Sequence, residues 1–291
     1  MRQSILAVAA IMALSFSANA AQMQFAAPTT LPPVPDTIHD LVDRAGVINS
    51  EGVHTQVFTP HTDWVFIFPI VGSVNGGNGT FFRSETTIVN SRSIPQDAAL
   101  FYFPANGGSV NCTRPSVRLH FAANTWYVWS DFVPQVFGTS GLGAVIVVAV
   151  DAAGNPDSNA ILDGSSRIWT PIPGSTGSAS QNFPAAAFSI QAGRQSGYGL
   201  RQDAAFRTNI GIFNYETHLR TFDINVIGLN GQTSTVMNVD ACTLTQFPAP
   251  SGNFGVMAVY VQPRDTDGGW YGYASSNDNV SGDSWSATLR P

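Results

Sequence analysis

Two stretches near the C-terminus concentrate oxygen-bearing side chains of the kind that bind calcium. Asp265 and Asp267 precede a glycine pair, and Asp278 and Asp283 lie in the run NDNVSGD. Calcium takes several hard oxygen ligands from flexible loops, and these aspartates are candidates for that role. Neither stretch has the EF-hand frame with its closing glutamate, and an ordinary Asx turn explains the same residues. Calcium binding and a simple turn are therefore both open.

Residue patterns for catalysis are few. The triplet Gly282-Asp283-Ser284 is shared with some serine hydrolases, but the chain has no G-x-S-x-G elbow and no HExxH pattern. All 13 basic residues are arginine, which excludes Schiff-base and P-loop lysine chemistry. A triad that assembles only in space stays open. We expect a protein that is not an enzyme, with no cofactor other than calcium and no residue assigned as catalytic.

An arginine beside an aromatic side chain occurs at matching points of two similar runs. Arg83 lies in FRSETTIVN, and Arg207 lies in FRTNIGIFN. One interpretation is structural: the guanidinium binds a carboxylate or a turn carbonyl while its stem packs on a ring. The other is contact with a ligand or partner.

An aromatic cluster and two cysteines complete the set of candidates. Trp270, Tyr271 and Tyr273 could stack on sugar faces or anchor a protein contact, although strand alternation buries about half of such rings. Cys112 and Cys242 lie 130 residues apart. A disulfide and two free buried thiols are both compatible with that spacing.

The N-terminus has the three parts of a secretory signal peptide. A positive start, an apolar run and the small residues Ala18-Asn19-Ala20 predict cleavage after residue 20 and a secreted location. No later stretch is long and apolar enough for a membrane span. Residues 21–62 read as an extension, with a short helix predicted over 36–47 and Asp36 as its N-cap. The net charge of −6 argues against nucleic-acid binding.

These candidate residues are carried by short β-type segments separated by turn residues. Strands are predicted at 64–71, 82–89, 98–103, 116–121, 125–132, 144–150, 205–213, 221–229, 233–239, 243–247, 255–262 and 270–275. The two FR runs, and the likeness of 143–148 to 255–260, indicate an internal duplication. The predicted fold is all-β, with two tandem antiparallel β-sandwich domains at 63–172 and 173–291, immunoglobulin-like in general architecture. The Pro/Gly/Ser-rich stretch 170–184 is the expected linker.

An ordered series of residues resembles an uncharacterised family of exported bacterial proteins. The series comprises Ser166-Arg167-Ile168-Trp169, then Gly177, Gln181 and Pro184, then FRTNIGIFN, and finally YASSNDNVSGD. The resemblance implies a bacterial source and tandem β-sandwich domains with FRTNxGxxN and YASxxDNxSGD-type motifs. It implies no established activity.

Together these features predict an exported, non-enzymatic protein with a structural, adhesive or surface-assembly role. The alternative is a glycan-binding module, supported or not by calcium, and a hydrolase is the least favoured reading. A cell-surface glycan or a protein is the expected partner.

Overall fold

The computed structural model describes residues 29–34, 37–44, 64–107, 112, 116–172, 174, 176–187, 193–265 and 268–290. The predicted signal peptide lies outside the described residues. Within them the chain is almost entirely β-structure, as the sequence predicts, with two short α-helices and one 3-10 turn.

The strands and helices have the following bounds. The first-half strands are β1 (Thr29–Leu31), β2 (Val65–Asn75), β3 (Phe81–Asn90), β4 (Gln96–Pro104), β5 (Ser116–Phe121), β6 (Thr125–Trp129), β7 (Gly141–Val150), β8 (Leu162–Pro171), β9 (Ser178–Pro184) and β10 (Ala186–Ala187). The second-half strands are β11 (Gln195–Gln202), β12 (Phe206–Asn214), β13 (Arg220–Gly228), β14 (Gly231–Val239), β15 (Thr243–Pro248), β16 (Gly255–Pro263), β17 (Trp270–Asp278) and β18 (Ser284–Thr288). The helices are α1 (Ile38–Arg44) and α2 (Phe132–Phe137), and the 3-10 turn is Gly77–Gly79.

The first half folds its strands into a sandwich. One layer has the order β1-β5-β4-β7-β2 and the other has the order β6-β3-β8-β9, and they join where the end of β2 pairs with the start of β3. Side chains of both layers, including Phe68, Ile88 and Val147, meet in one apolar core. In β2 the register shifts between Phe68 and Val71, around Pro69, which has no backbone N–H to donate to the neighbouring strand.

The second half repeats the strand order of the first. Its layers are β11-β16-β13-β14 and β15-β12-β17-β18. The layer β11-β16-β13-β14 corresponds strand by strand to β2-β7-β4-β5 of the first half. The layer β15-β12-β17-β18 corresponds in the same way to β6-β3-β8-β9. The strands β7 and β16 both begin at a positive-φ glycine, Gly141 and Gly255. When the two strands are aligned on these glycines, 141–146 corresponds to 255–260. The sequence match of 143–148 with 255–260 is therefore displaced by two residues.

A buried asparagine holds the same turn in both halves. At the end of β3 the Asn90 amide donates to the carbonyls of Ile94, Phe121 and Ala122. At the end of β12 the Asn214 amide donates to three carbonyls at the corresponding positions, those of His218, Val239 and Asp240. Each Oδ1 accepts the N–H two residues further on. These bonds tie the end of one layer to the opposite layer of the same sandwich.

The two sandwiches pack face to face through a shared core. Phe103 of β4 lies edge-on to Phe213 of β12, with ring centroids 4.9 Å apart, and Phe183 of β9 lies 5.5 Å from Tyr273 of β17. The layer containing β2, β4 and β7 is thus covered on both faces. That double burial explains why 144–150 is a continuous apolar run rather than an alternating one.

A disulfide joins the two halves at this core. Cys112 and Cys242 are bonded, with Cα atoms 5.4 Å apart, and both are buried at positive φ. They are not equivalent positions in the two halves. The counterpart of Cys242 is Asn124. Cys242 immediately precedes β15 and donates its N–H to the Glu216 carbonyl, and Asn124 immediately precedes β6 and donates its N–H to the Arg92 carbonyl. Each acceptor lies two residues after the buried asparagine of its half.

The extension docks on the same core. Thr37 and Asp40 exchange side-chain and backbone bonds as a capping box, so Thr37 caps α1. Asp36, the N-cap expected from the sequence, lies outside the described residues. Ile38 and Leu41 of α1 enter the shared core, and the 36–47 helix prediction is confirmed over Ile38–Arg44.

Two expectations from the sequence are wrong: the linker at 170–184 and the end of the strand at 125–132. The stretch 170–184 is not a linker, because β9 occupies Ser178–Pro184 and pairs with β8. Ala186–Ala187 then pairs with β2, so first-half pairing runs past the expected boundary at 172. The strand predicted over 125–132 ends at Trp129, and α2 follows it.

Candidate functional site: a groove between the two sandwiches

The three aromatic residues proposed as ligand contacts belong to the core. Trp270, Tyr271 and Tyr273 are 2%, 8% and 1% exposed. Trp270 Nε1 donates to the Gly193 carbonyl, and the Tyr273 hydroxyl donates to Gln246 Oε1 at 2.7 Å. Burial raises the pKa of Tyr271 to about 12. The prediction that these rings meet a sugar or a partner is wrong, because every second residue of β17 faces one core and the intervening residues face the other.

The three acidic candidates that the structure describes do not converge on one place. Asp265 accepts two bonds from the guanidinium of Arg220, a fully buried arginine. Asp267 lies outside the described residues. Asp278 accepts the backbone N–H groups of Val280 and Ser281, which hold the pKa of its carboxyl below the usual value. Asp283 follows it in the same hairpin turn, and its carbonyl accepts the Asp278 N–H.

The two matching arginines have different surroundings. Arg83 lies 3.5 Å from the Asp131 carboxylate, with its guanidinium over the rings of Phe81 and Trp169. That is the structural arrangement expected from the sequence. Arg207 is exposed and donates to Asn279 Oδ1 at 2.6 Å. Within the described residues it has no carboxylate partner, and its side chain lies at a groove.

This inter-sandwich groove is formed by the end of β8, by β9 and by the β17–β18 hairpin. Its volume is about 670 Å³. The first half contributes Phe82, Ile168, Thr170, Ile172 and Gln181, and the second half contributes Arg207, Asn277, Asp278, Asn279, Val280 and Ser284. Amides, hydroxyls, one guanidinium and one carboxylate thus line a space that also has apolar walls.

The local structure of the hairpin positions its half of the groove. The Asx turn at Asp278 reverses the chain, and Gly282 completes the turn at a φ of 78°. The Asn279 N–H donates to the Ala205 carbonyl, which fixes the hairpin tip against the start of β12 and brings Arg207 beside it. Ser284 Oγ donates across the junction to the Ser180 carbonyl at 3.0 Å. The groove floor therefore joins the two sandwiches.

Two polar atoms of the groove are buried and have no hydrogen-bond partner among the described residues. They are Thr170 Oγ1 and Gln181 Nε2. Thr170 is only 5% exposed. Gln181 is directly opposite Ile168 in the β8–β9 pair, so its side chain shares a face with Ile168 and Thr170. Buried polar groups normally have partners, and each exception requires an explanation.

Outside the groove, the described residues include an imidazole paired with a carboxylate, His120 Nδ1 at 2.7 Å from Asp97 Oδ1, and one grouping of possible metal ligands. His39, Cys112 and Cys242 lie close together, but both cysteines are in the disulfide, and His39 Nε2 donates to the Tyr215 carbonyl. The hydroxyl of Ser284 binds a carbonyl rather than a histidine.

Part of this groove is predicted from the sequence. Arg207 and Asp278 are sequence candidates, and Gln181 belongs to the series on which the family resemblance rests. Thr170 was missed because it lies at the start of the stretch interpreted as a linker. An unpaired side chain is a property of the packed structure, and no sequence pattern reports it.

Comparison with models of known protein families and with curated proteins returns no match. Within the described part of the chain, no helix has the length and apolar character needed to cross a membrane.

Proposed function

We propose that this is an exported, non-enzymatic adhesive protein that binds a glycan in the inter-sandwich groove. The observation that carries the proposal is the pair of unpaired buried atoms, Thr170 Oγ1 and Gln181 Nε2, at that groove. Leaving such groups unpaired has a cost, and a ligand that supplies hydroxyl groups removes it once the two side chains rotate toward the groove.

The chemistry of the lining favours a sugar. The Asn277 and Asn279 amides and the Thr170 hydroxyl match the donors and acceptors of sugar hydroxyls, while Phe82 and Ile168 supply apolar surface for C–H faces. Among the described residues Arg207 has a neutral hydrogen-bond partner only, so its charge is available for the carboxylate of an acidic sugar.

Export is supported by the disulfide. Disulfides form and persist in oxidising compartments, which agrees with the predicted signal peptide at residues 1–20. Two sandwiches packed through one core and cross-linked at Cys112 and Cys242 form a rigid scaffold for an adhesive surface.

A glycan array probed with the mature protein, with and without calcium, tests the proposal. We expect saturable binding to a set of glycans that includes acidic ones. If binding is retained in the presence of a chelator, calcium takes no part in it. Arg207→Gln should weaken binding to the acidic members by about tenfold or more. The matched control is Arg83→Gln, because Arg83 occupies the corresponding place in the other half, away from the groove. Absence of binding to every glycan on the array would exclude the proposed ligand class.

A further inference from the structure

The two halves differ at one sheet edge. In the first half, β1 pairs with the outer edge of β5, with Thr29, Thr30 and Leu31 opposite His120, Leu119 and Arg118. The corresponding edge strand of the second half is β14. Within the described residues, no strand pairs with the outer edge of β14.

In the part of the chain that the structure describes, β14 has no charge, proline, bulge or covering segment to protect its edge. It spans nine residues and pairs with β13 from end to end without a register shift. Its sequence, GQTSTVMNV, contains no charged residue and no proline. Natural edge strands are commonly blunted by charge, proline or a bulge, because unpaired N–H and C=O groups recruit other strands. Val236 also leaves an exposed apolar side chain there, at 48%.

We propose that β14 is the interface for a second copy of this chain, with the two β14 strands paired antiparallel about a two-fold axis at Thr235. This register sets Ser234 opposite Val236, Thr233 opposite Met237, and Gln232 opposite Asn238 of the second copy. No charged pair arises: Ser234 and Thr233 each face an apolar side chain, Gln232 faces Asn238, and Thr235 faces its own copy. The interface is self-complementary, as a two-fold dimer requires.

The pairing would join two four-stranded outer layers into one continuous sheet. The β1 strand of another copy is a weaker occupant, because β1 is tethered beside its own β5 and the effective concentration there favours the intramolecular site. This inference does not depend on what the groove binds.

Charge placed at the two-fold axis tests the proposal. Ser234 and Val236 are exposed, so lysine at both positions sets like charges opposite each other twice without entering the core. We expect the wild-type mature protein to sediment as two copies and S234K/V236K to sediment as one, with a dissociation constant raised by about tenfold or more. The variant S234D/V236D should behave in the same way, and an equimolar mixture of the two variants should restore the two-copy species.

Val256→Lys with Gln262→Lys is the matched control. These exposed residues lie on β16 in the middle of the same sheet, so the change adds equal charge to the face but not to the edge. This variant should remain a dimer. A wild-type protein that stays single-copy at every concentration, a lysine variant that still dimerises, a mixture that stays single-copy, or a control that dissociates would each overturn the proposal.

Discussion

Removing either buried asparagine should destabilise the whole protein by a similar amount. Asn90 is fully buried, and its Nδ2 lies 2.9, 3.4 and 3.0 Å from three carbonyl oxygens. Its Oδ1 accepts the Arg92 N–H at 3.0 Å. An amide has two N–H donors, so the three carbonyls share two donated bonds, and the accepted bond is the third. At about 1 kcal/mol for each bond, Asn90→Ala should lower the free energy of unfolding by about 3 kcal/mol.

The same value is expected for Asn214→Ala, because its bonds repeat those of Asn90. Urea unfolding followed by tryptophan fluorescence and by circular dichroism measures both variants. Each should shift one common transition, because the sandwiches share a core. The exposed Asn230 provides a control, and Asn230→Ala should cost less than about 0.5 kcal/mol. A cost below about 1 kcal/mol for both buried positions would refute the reasoning, since four contacts of this kind cannot be that weak.

Three further results are expected. Replacing Cys112 and Cys242 with serine should cost about 5 kcal/mol for a loop of this length, which urea unfolding with and without reductant measures. Burial raises the pKa of Tyr102 and Tyr271 to about 12. Both groups therefore stabilise the folded state fully below about pH 10, and this contribution is lost as the pH rises toward 12. Tyrosinate absorbance should show the two groups ionising only as the protein unfolds. The Asp278 carboxyl has a lowered pKa, so its contribution is present above about pH 4 and is lost as the pH falls through the folded-state pKa; Asp278→Asn should flatten the acid side of a plot of melting temperature against pH.

Local patterns predict the strands well where one face is buried. The β5 segment is predicted with its observed bounds, and β13 and β14 agree to within two residues at each end. Alternation and turn residues are local signals, so one sequence suffices for these strands. The β8 and β9 strands were missed because their serines, glycine and prolines look like loop composition. In the folded protein β8 pairs with β3 on one side and with β9 on the other. This pairing overrides the weak strand propensity of both segments.

The site was harder to predict because it depends on which faces the sandwiches bury. Trp270, Tyr271 and Tyr273 looked like a surface cluster, but β17 lies between two cores and buries all three. Arg83 and Arg207 lie in similar local sequences but in different surroundings, since only Arg207 lines the groove, where it faces the first sandwich. Such differences arise from packing between the halves, which a single sequence does not encode in any short pattern.

The most direct test of groove binding compares two buried threonines. The buried hydroxyls of Thr170 and Thr243 both lack a hydrogen-bond partner among the described residues, but only Thr170 lines the groove. Calorimetric titration with a glycan selected on the array should show that Thr170→Val weakens binding by about tenfold or more, while its melting temperature stays the same or rises. Thr243→Val should bind as the wild type does. Equal affinity for the wild type and Thr170→Val would contradict the proposal that the groove holds the glycan.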